Sequence, residues 1–424
     1  MRRCFRRCLA LLAALILACL SAAGAEETLL PPSARLLQAS MLTSGDVLDK
    51  LPEVSFEYLK TDVASAMLDA AAAYDAKETD LLINNAPSFY FYEHLDPLTR
   101  EIYDLVIQIS RDPVPQNIQV MRTTVDPDSD RFYDAYFRAV YAVGYDHPEL
   151  FWIFPDSGET FITFVGDHQL VNGRYTVLFF VKEAYTAFET RMTEFNEAAA
   201  AFLRDIDRTA PDAEIVRQIH DKVMALTTYD HAACDKNDYD LAHTAYGVLV
   251  ADTDGLANYA VCDGYSMAMT YFLQQCGIPA SVVSGFGGSS PDRMGGHAWT
   301  IVQLDGEWYE VDCTWDDNVT DVAELEALRG RSDYEIWVDL FNNPDYFEKH
   351  GHRLFLISSD LMEHYVAPDD VDWSFRLSDG RVIDFPPDED YHVRKSEGLT
   401  DPFETSNPKA SLMFLLPRGS RNYQ

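Results

Sequence analysis

The stretch that decides the reading runs from Val261 to Asp317. It opens V-C-D-G-Y-S-M-A-M-T-Y-F-L (Val261–Leu273), passes through a glycine-rich segment, and continues G-G-H-A-W-T-I-V-Q-L-D-G-E-W-Y-E-V-D-C-T-W-D-D (Gly295–Asp317). Cys262 precedes Tyr265, Met269, Phe272, Leu273 and Cys276, an apolar stripe at helical spacing that stops at Gly277 with Pro279 beyond. The spacing therefore predicts a helix with Cys262 at or just before its N-terminus. There the free N–H groups and the helix dipole stabilise a thiolate, and the same groups can bind an oxyanion.

The second half of the stretch reads as a hairpin. His297–Leu304 and Glu307–Cys313 flank Asp305-Gly306, a two-residue turn of the favoured kind. Leu304 then faces Glu307, Trp299 faces Asp312, and His297 faces Thr314. Side chains two apart on a strand share a face, so His297 and Asp312 are expected as diagonal neighbours within reach of each other. Between helix and hairpin, Gly285, Gly287, Gly288, Gly295 and Gly296 read as a permissive loop that an extended substrate could approach. Trp299, Trp308 and Trp315 read mainly as core.

Two other chemistries are weighed and set aside. Gly264-Tyr265-Ser266-Met267-Ala268 approximates a serine nucleophile elbow, but Asp254–Tyr259 before it is too polar for the buried strand such an elbow needs. His231, Cys234 and His243 lie close in sequence, but the spacing is not that of a closed zinc set and a fourth ligand is missing. No EF-hand loop appears. No metal and no cofactor is expected.

Working outward, the 424 residues exceed one ordinary core. The chain is 47% hydrophobic and 12% aromatic, and 33 basic against 69 acidic residues give a net charge of −36. Such a surface repels phosphate backbones, so nucleic acid is excluded as a partner class. At the N-terminus Arg2, Arg3, Arg6 and Arg7 precede an apolar run, Leu9–Leu20, and Ala23-Gly24-Ala25 offers a small-residue cleavage site before Glu26. This is a signal peptide over 1–25, with Cys19 a candidate lipid site. The expected location is secreted or cell-surface, with membrane contact only through that segment or a lipid on Cys19. Removal of the segment leaves Cys234, Cys262, Cys276 and Cys313, too few and too dispersed for a disulfide framework.

An alanine-rich helix is expected over 64–76 and further helices over Leu98–Ser110, Phe132–Val140, Phe188–Ile206 and Ile215–Leu226, the last entered through a Thr209/Asp212 cap. Strands are expected over Phe161–Val165 and Arg174–Val181, with Asn172-Gly173 as a hairpin turn. Phe355–Ile357 reads as one more strand and Asp360–Tyr365 as a short helix. The domain reading is an N-terminal accessory region over 26–185, a catalytic-type domain over 186–365, and an irregular acidic tail over 366–424.

In their order, C-D-G-Y-S (Cys262–Ser266), G-H-A-W (Gly296–Trp299) and W-Y-E-V-D-C-T-W-D-D (Trp308–Asp317) resemble the transglutaminase-like superfamily of papain-type cysteine enzymes. The upstream Ile219–Val223, Tyr229-Asp230 and His243–Val250 segments are similar to its bacterial members, and Tyr145–Trp152 resembles a segment preceding the domain in exported relatives. The resemblance implies an α+β fold, a papain-like core with the Cys-bearing helix packed on an antiparallel sheet, beside an N-terminal α+β accessory region. It implies a triad with Cys262 as nucleophile, His297 as base and Asp312 as orienting carboxylate. Ala251–Ala260 looks like an insertion beside the site, which leaves Tyr246, Asn258 and Tyr259 as open choices for an oxyanion side chain.

The function implied is an exported cysteine-dependent acyl-transfer enzyme working through a Cys262 thioester on protein or peptide amides, cell-wall peptide among them. Peptidase or amidase chemistry is favoured because hydrolysis needs only one specific site. The alternatives are a crosslinking transglutaminase with an amine acceptor, or a non-catalytic binding module of the same fold at the cell surface.

Overall fold

The computed structural model describes residues 71–72, 89–153, 162–167, 170–185, 187–231, 233, 241–250, 258–317, 329–330, 332–396 and 408–423. The expected signal segment, Cys19, Cys234 and most of the 64–76 helix lie outside the described residues. Among the described residues no helix is long and apolar enough to cross a membrane.

The N-terminal half begins with helices α1 (Tyr90–His94) and α2 (Pro97–Ser110), strand β1 (Gln119–Thr123) and helix α3 (Asp130–Asp146). Strands β2 (Ile162–Gly166) and β3 (Tyr175–Val181) follow. Helix α2 starts where the sequence allows: Asp96 accepts from Leu98 N and Thr99 N, and Pro97 occupies the first helical position, which needs no donor. The three strands form an antiparallel sheet in the order β1-β3-β2. Asn172 and Gly173 both take positive φ, as the expected hairpin turn requires. Phe132 and Tyr136 of α3 pack on Phe164 and Phe179 of the sheet.

Next come α4 (Phe188–Arg204), α5 (Asp212–Leu226), β4 (Thr227–Tyr229), α6 (Ala245–Leu249) and β5 (Asn258–Ala260), with β4 and β5 paired in parallel. The expected Thr209/Asp212 cap does not form: Pro211 occupies the cap position, and Thr209 turns its hydroxyl to Asp207. Helix α7 (Cys262–Gln275) bears the cysteine. It ends in a Schellman closure, Gly277 at φ 80° with Gly277 N on Gln274 O and Ile278 N on Leu273 O.

Strands β6 (Ala280–Gly288) and β7 (Gly295–Leu304) pack against α7, and β8 (Glu307–Val311) pairs with β7. Short helices α8 (Cys313–Asp316), α9 (Tyr334–Phe341), α10 (Pro344–His350) and α11 (Ser359–Glu363) lead to β9 (His364–Tyr365), β10 (Ser374–Arg376), β11 (Val382–Asp384) and β12 (Asp390–Arg394), then α12 (Pro408–Leu415). The main sheet is antiparallel in the order β8-β7-β6-β12-β9. Mixed helix and antiparallel sheet, with the Cys-bearing helix on the sheet, is the expected class.

Three further expectations need correction. The glycine-rich segment is paired strand, not loop: Gly285 lies opposite His297 and Gly287 opposite Gly295. Phe355–Ile357 is not a full strand but one bridge, Ile357 to Glu310, with Leu356 at φ 53°. The 366–424 segment is not an irregular tail. It supplies β12, hydrogen-bonded between β6 and β9, and α12, whose Leu412 and Met413 are buried together with Leu416 just beyond it. The sequence signal was inverted there: Asp390, His392 and Arg394 are the buried positions of β12, while Tyr391 and Val393 are less so.

One continuous cluster of buried side chains runs from Phe91 to Leu416 and joins the N-terminal helices to the main sheet.

Candidate active site

Cys262 is the first residue of α7. Val261 holds extended backbone at the cap and its side chain does not cap the helix; of the first-turn N–H groups, Gly264 N donates to Asp263 Oδ1 at 3.1 Å. Gly264 permits the next contact: a Cβ there would sit 2.4 Å from Ala242 O, so the first turn of α7 lies tight on the 241–243 turn. His243 Nδ1 and Asp263 Oδ1 are 2.9 Å apart, both residues buried. The Tyr265 hydroxyl donates to Asp317 Oδ2 at 2.6 Å and ties the helix to the end of the hairpin. Ser266 is buried and donates to Cys262 O at 2.7 Å. Its hydroxyl is spent inside the helix, as the rejection of a serine elbow requires.

The β7–β8 hairpin has the expected register. Leu304 pairs with Glu307 and Thr300 with Val311, around Asp305 and Gly306 at positive φ. Asp312 follows the last paired residue, and its Oδ1 accepts from Thr314 N at 3.0 Å and Trp315 N at 3.2 Å as the cap of α8. Its Oδ2 meets His297 Nε2 at 2.7 Å. An ionised carboxylate only accepts, so Nε2 carries the proton and Nδ1 of the neutral ring presents a lone pair. With Nε2 on Asp312, Nδ1 is the nitrogen left for the Cys262 side chain, which also interacts with the ring.

Burial opposes a charge on His297, but Asp312, and after it Cys262, overcome that cost and raise the imidazole from 6.5 to about 10. Burial likewise pushes Asp312 up, yet His297 and then His392 hold it well below the usual carboxylate range. Thus the three side chains singled out in the sequence are brought together: Cys262 and His297 nearly buried, Asp312 fully so.

Two further contributors, His392 and Arg394, carry no signal in the sequence. His392 of β12 places Nε2 2.9 Å from the same Asp312 Oδ2, so one carboxylate oxygen faces two imidazoles. Strands in a flat sheet are about 4.8 Å apart, so β12 and β8 would be roughly 14 Å apart. Their side chains meet because the sheet is curled and because β6 offers only Gly285 and Gly287 beneath them. A Cβ on Gly287 would lie 2.8 Å from Trp315 Cζ2 and 3.0 Å from His297 Cδ2. Arg394, two residues on, reaches Glu310 of β8 in the same way, and Trp299 Nε1 donates to that carboxylate at 2.6 Å. Finally, Trp315 stacks on His297 with ring centroids 4.8 Å apart and planes 26° apart.

Of the open oxyanion candidates, Tyr246 donates to Glu194 Oε2 at 2.6 Å and Asn258 Nδ2 to Val248 O at 2.6 Å. Tyr259 is the exposed one, at 37%. Of the 231/234/243 set, Cys234 lies outside the described residues, and His243 Nδ1 meets Asp263. The ligand atoms of His297, Asp312 and His392 converge within 4.8 Å, but as two imidazoles hydrogen-bonded to one carboxylate oxygen.

Residues 200–313 match the family model described as the transglutaminase-like superfamily, a span that includes Cys262, His297 and Asp312. No curated protein matches the chain. One solved structure, titled "Crystal structure of a TGase", is similar at 18% identity and a TM-score of 0.24. That match covers 37% of this chain and 45% of the solved one, so the chain spans less than half of that protein. The family match, lying on the helix and hairpin that assemble the site, identifies residues 200–313 as a core of the transglutaminase-like superfamily.

Proposed function

We propose that this protein is an exported cysteine-dependent acyl-transfer enzyme that cleaves protein or peptide amides through a thioester on Cys262. The observation that carries the reading is the 2.7 Å contact of His297 Nε2 with Asp312, which turns the ring's other nitrogen to the Cys262 thiol. His297 Nδ1 takes the thiol proton, and the thiolate attacks the amide carbonyl. The backbone N–H of Cys262, at the head of α7, stabilises the oxyanion, an effect worth about 3 kcal/mol per donor in such sites. The imidazolium gives its proton to the leaving amine as the C–N bond breaks. Water, deprotonated by His297, then attacks the thioester, and the sulfur leaves as the product acid forms.

Asp312 does not exchange protons in this scheme. Being far more acidic than His297, it stays ionised, fixes the tautomer and stabilises the imidazolium.

The test is incubation of the mature protein with casein and a dansylated amine. Peptide release without dansyl incorporation, lost in Cys262→Ala, is the expected result. Incorporation without cleavage would replace hydrolysis by crosslinking. The absence of both, with Cys262 no more reactive than Cys276 toward iodoacetamide, would leave a binding module. Export is checked separately: the secreted protein should begin at Glu26.

A further inference from the structure

Residues 416–423 follow α12 as a strap without helix or strand. They are hydrogen-bonded to the 356–359 segment, which itself bridges to Glu310 of β8 through Ile357. Ser359 N donates to Gly419 O at 3.0 Å and Tyr423 N to Leu356 O at 2.9 Å. Ser358 N donates to Asn422 Oδ1 at 2.8 Å, and Arg418 pairs with Asp360 and Glu363 of α11. The Tyr423 ring meets Tyr309 edge-on, with centroids 5.4 Å apart. The fit at the centre is close: a Cβ on Gly419 would lie 2.7 Å from Trp308 O.

The strap also reaches the interior. Arg394 of β12 is buried, and its Nη1 donates to Pro417 O at 2.7 Å and Leu416 O at 3.3 Å. Its Nη2 donates to Glu310. The Glu310 carboxylate also accepts from the Ser359 hydroxyl and from Trp299 Nε1, and Ser359 Oγ accepts from Gly419 N at 2.8 Å. A buried guanidinium is tolerated only when its charge is paired and its donors are met. Glu310 pairs the charge, and the two strap carbonyls satisfy Nη1. β12 itself is short, with four residue pairs to β6 and two to β9. Arg394 lies two residues from His392, on the same strand face. Trp299, fixed by Glu310, meets the His392 ring at a centroid distance of 5.1 Å. What holds Arg394 therefore holds His392 against Asp312.

We propose that residues 416–423 are a latch on the active site. Seated, the strap satisfies Arg394 and keeps His392 of β12 on the Asp312 carboxylate. Detached, it leaves a buried guanidinium short of two acceptors, so β12 loosens and His392 leaves Asp312. Arg394 and the strap are positioning elements that act through His392, and only their consequence for catalysis rests on the proposed acyl-transfer function.

The test uses the full mature chain and begins with native-state hydrogen exchange of the wild type, which needs no variant. The Ser359 amide reports the strap through Gly419 O, and the Lys395 amide reports the end of β12 through Ser284 O. The two should open together, at rates within about threefold and with the same denaturant dependence. Gly419→Val, whose side chain collides with Trp308 O, should speed Lys395 exchange at least tenfold while circular dichroism stays native. Arg394→Met should do the same, and Arg394→Lys, which keeps a charged donor, should lie between it and the wild type. Ser420→Ala, which loses only an exposed bond to Glu307, should match the wild type. In Gly419→Val the titration of His297, followed on its ring proton by NMR, should move upward, as in His392→Phe. That readout needs no turnover, so it stands even where amide cleavage is absent. Lys395 protected more than about tenfold better than Ser359 in the wild type would overturn the proposal. So would unchanged Lys395 exchange in folded Gly419→Val or Arg394→Met, or a His297 titration unmoved in a variant that opens β12.

Discussion

The carboxylate of Asp312 draws one histidine from β7 and another from β12, and the two arrive by different physics. His297 is 15 residues away in sequence and is delivered by a two-residue turn whose parity leaves no freedom. His392 is 80 residues away and is delivered by the pairing of β12 with β6 and by the curl of the whole sheet. The first contact depends on local stereochemistry. The second depends on a long chain closure, on glycines that leave space, and on a buried Arg394–Glu310 pair that fastens the strand. The difference suggests a division of labour: the hairpin makes the chemistry, and β12 holds the carboxylate in place for it.

Substitutions should separate the two histidines. The largest effect is expected from His297→Ala or Cys262→Ala, each lowering amide cleavage by about 10⁴-fold or more, to the rate left by binding and oxyanion stabilisation. Asp312→Asn should cost about 10²–10⁴-fold in kcat, by freeing the wrong tautomer. It also carries a pH signature. His297 stands near 10 because of Asp312, above its ordinary 6.5, so its imidazolium persists below about 10 and is lost as pH rises through that value. The alkaline limb of kcat should therefore lie near pH 10 in the wild type and fall toward 6.5 in Asp312→Asn. The stability that the imidazolium contributes follows the same sign, full below 6.5 and gone above 10.

His392→Phe should act more gently, with a loss of about tenfold in kcat and a drop in Tm from a carboxylate left one donor short. Burial keeps His392 neutral by lowering its basicity, against the pull of Asp312, so its N–H shares the Asp312 charge. Removing that N–H should leave more charge for His297 and move the alkaline limb upward, opposite to Asp312→Asn. His392→Gln, which keeps a donor, should restore the limb; a purely structural β12 would leave it unmoved in both variants. The smallest expected effect is Gly287→Ala, where the added methyl meets the His297 and Trp315 rings. A cost of about 1–3 kcal/mol in stability is typical of such overpacking, and kcat should fall while KM stays nearly constant.

The same contrast explains what could be read from residues alone. The α7 stripe, its Gly277 stop and the Asp305-Gly306 turn are short-range features, and each holds in the structure. So does the diagonal meeting of His297 and Asp312. What joins Cys262 to that pair is the packing of α7 on β6 and β7, which spacing does not contain and which came from the family resemblance. β12 was missed because D-Y-H-V-R turns its polar residues inward, against the usual alternation. The glycines of β6 and β7 look like a loop in the sequence because their need is steric and comes from distant rings.

The most direct test is the rate at which iodoacetamide alkylates each cysteine at mildly acidic pH, mapped by mass spectrometry in the wild type and in His297→Ala. Cys276, whose thiol burial pushes above its ordinary value, serves as the internal comparator. A thiolate paired with the His297 imidazolium predicts Cys262 labelling about 100-fold faster than Cys276, collapsing to the comparator's rate in His297→Ala. Equal rates for the two cysteines in the wild type would contradict an activated nucleophile at Cys262.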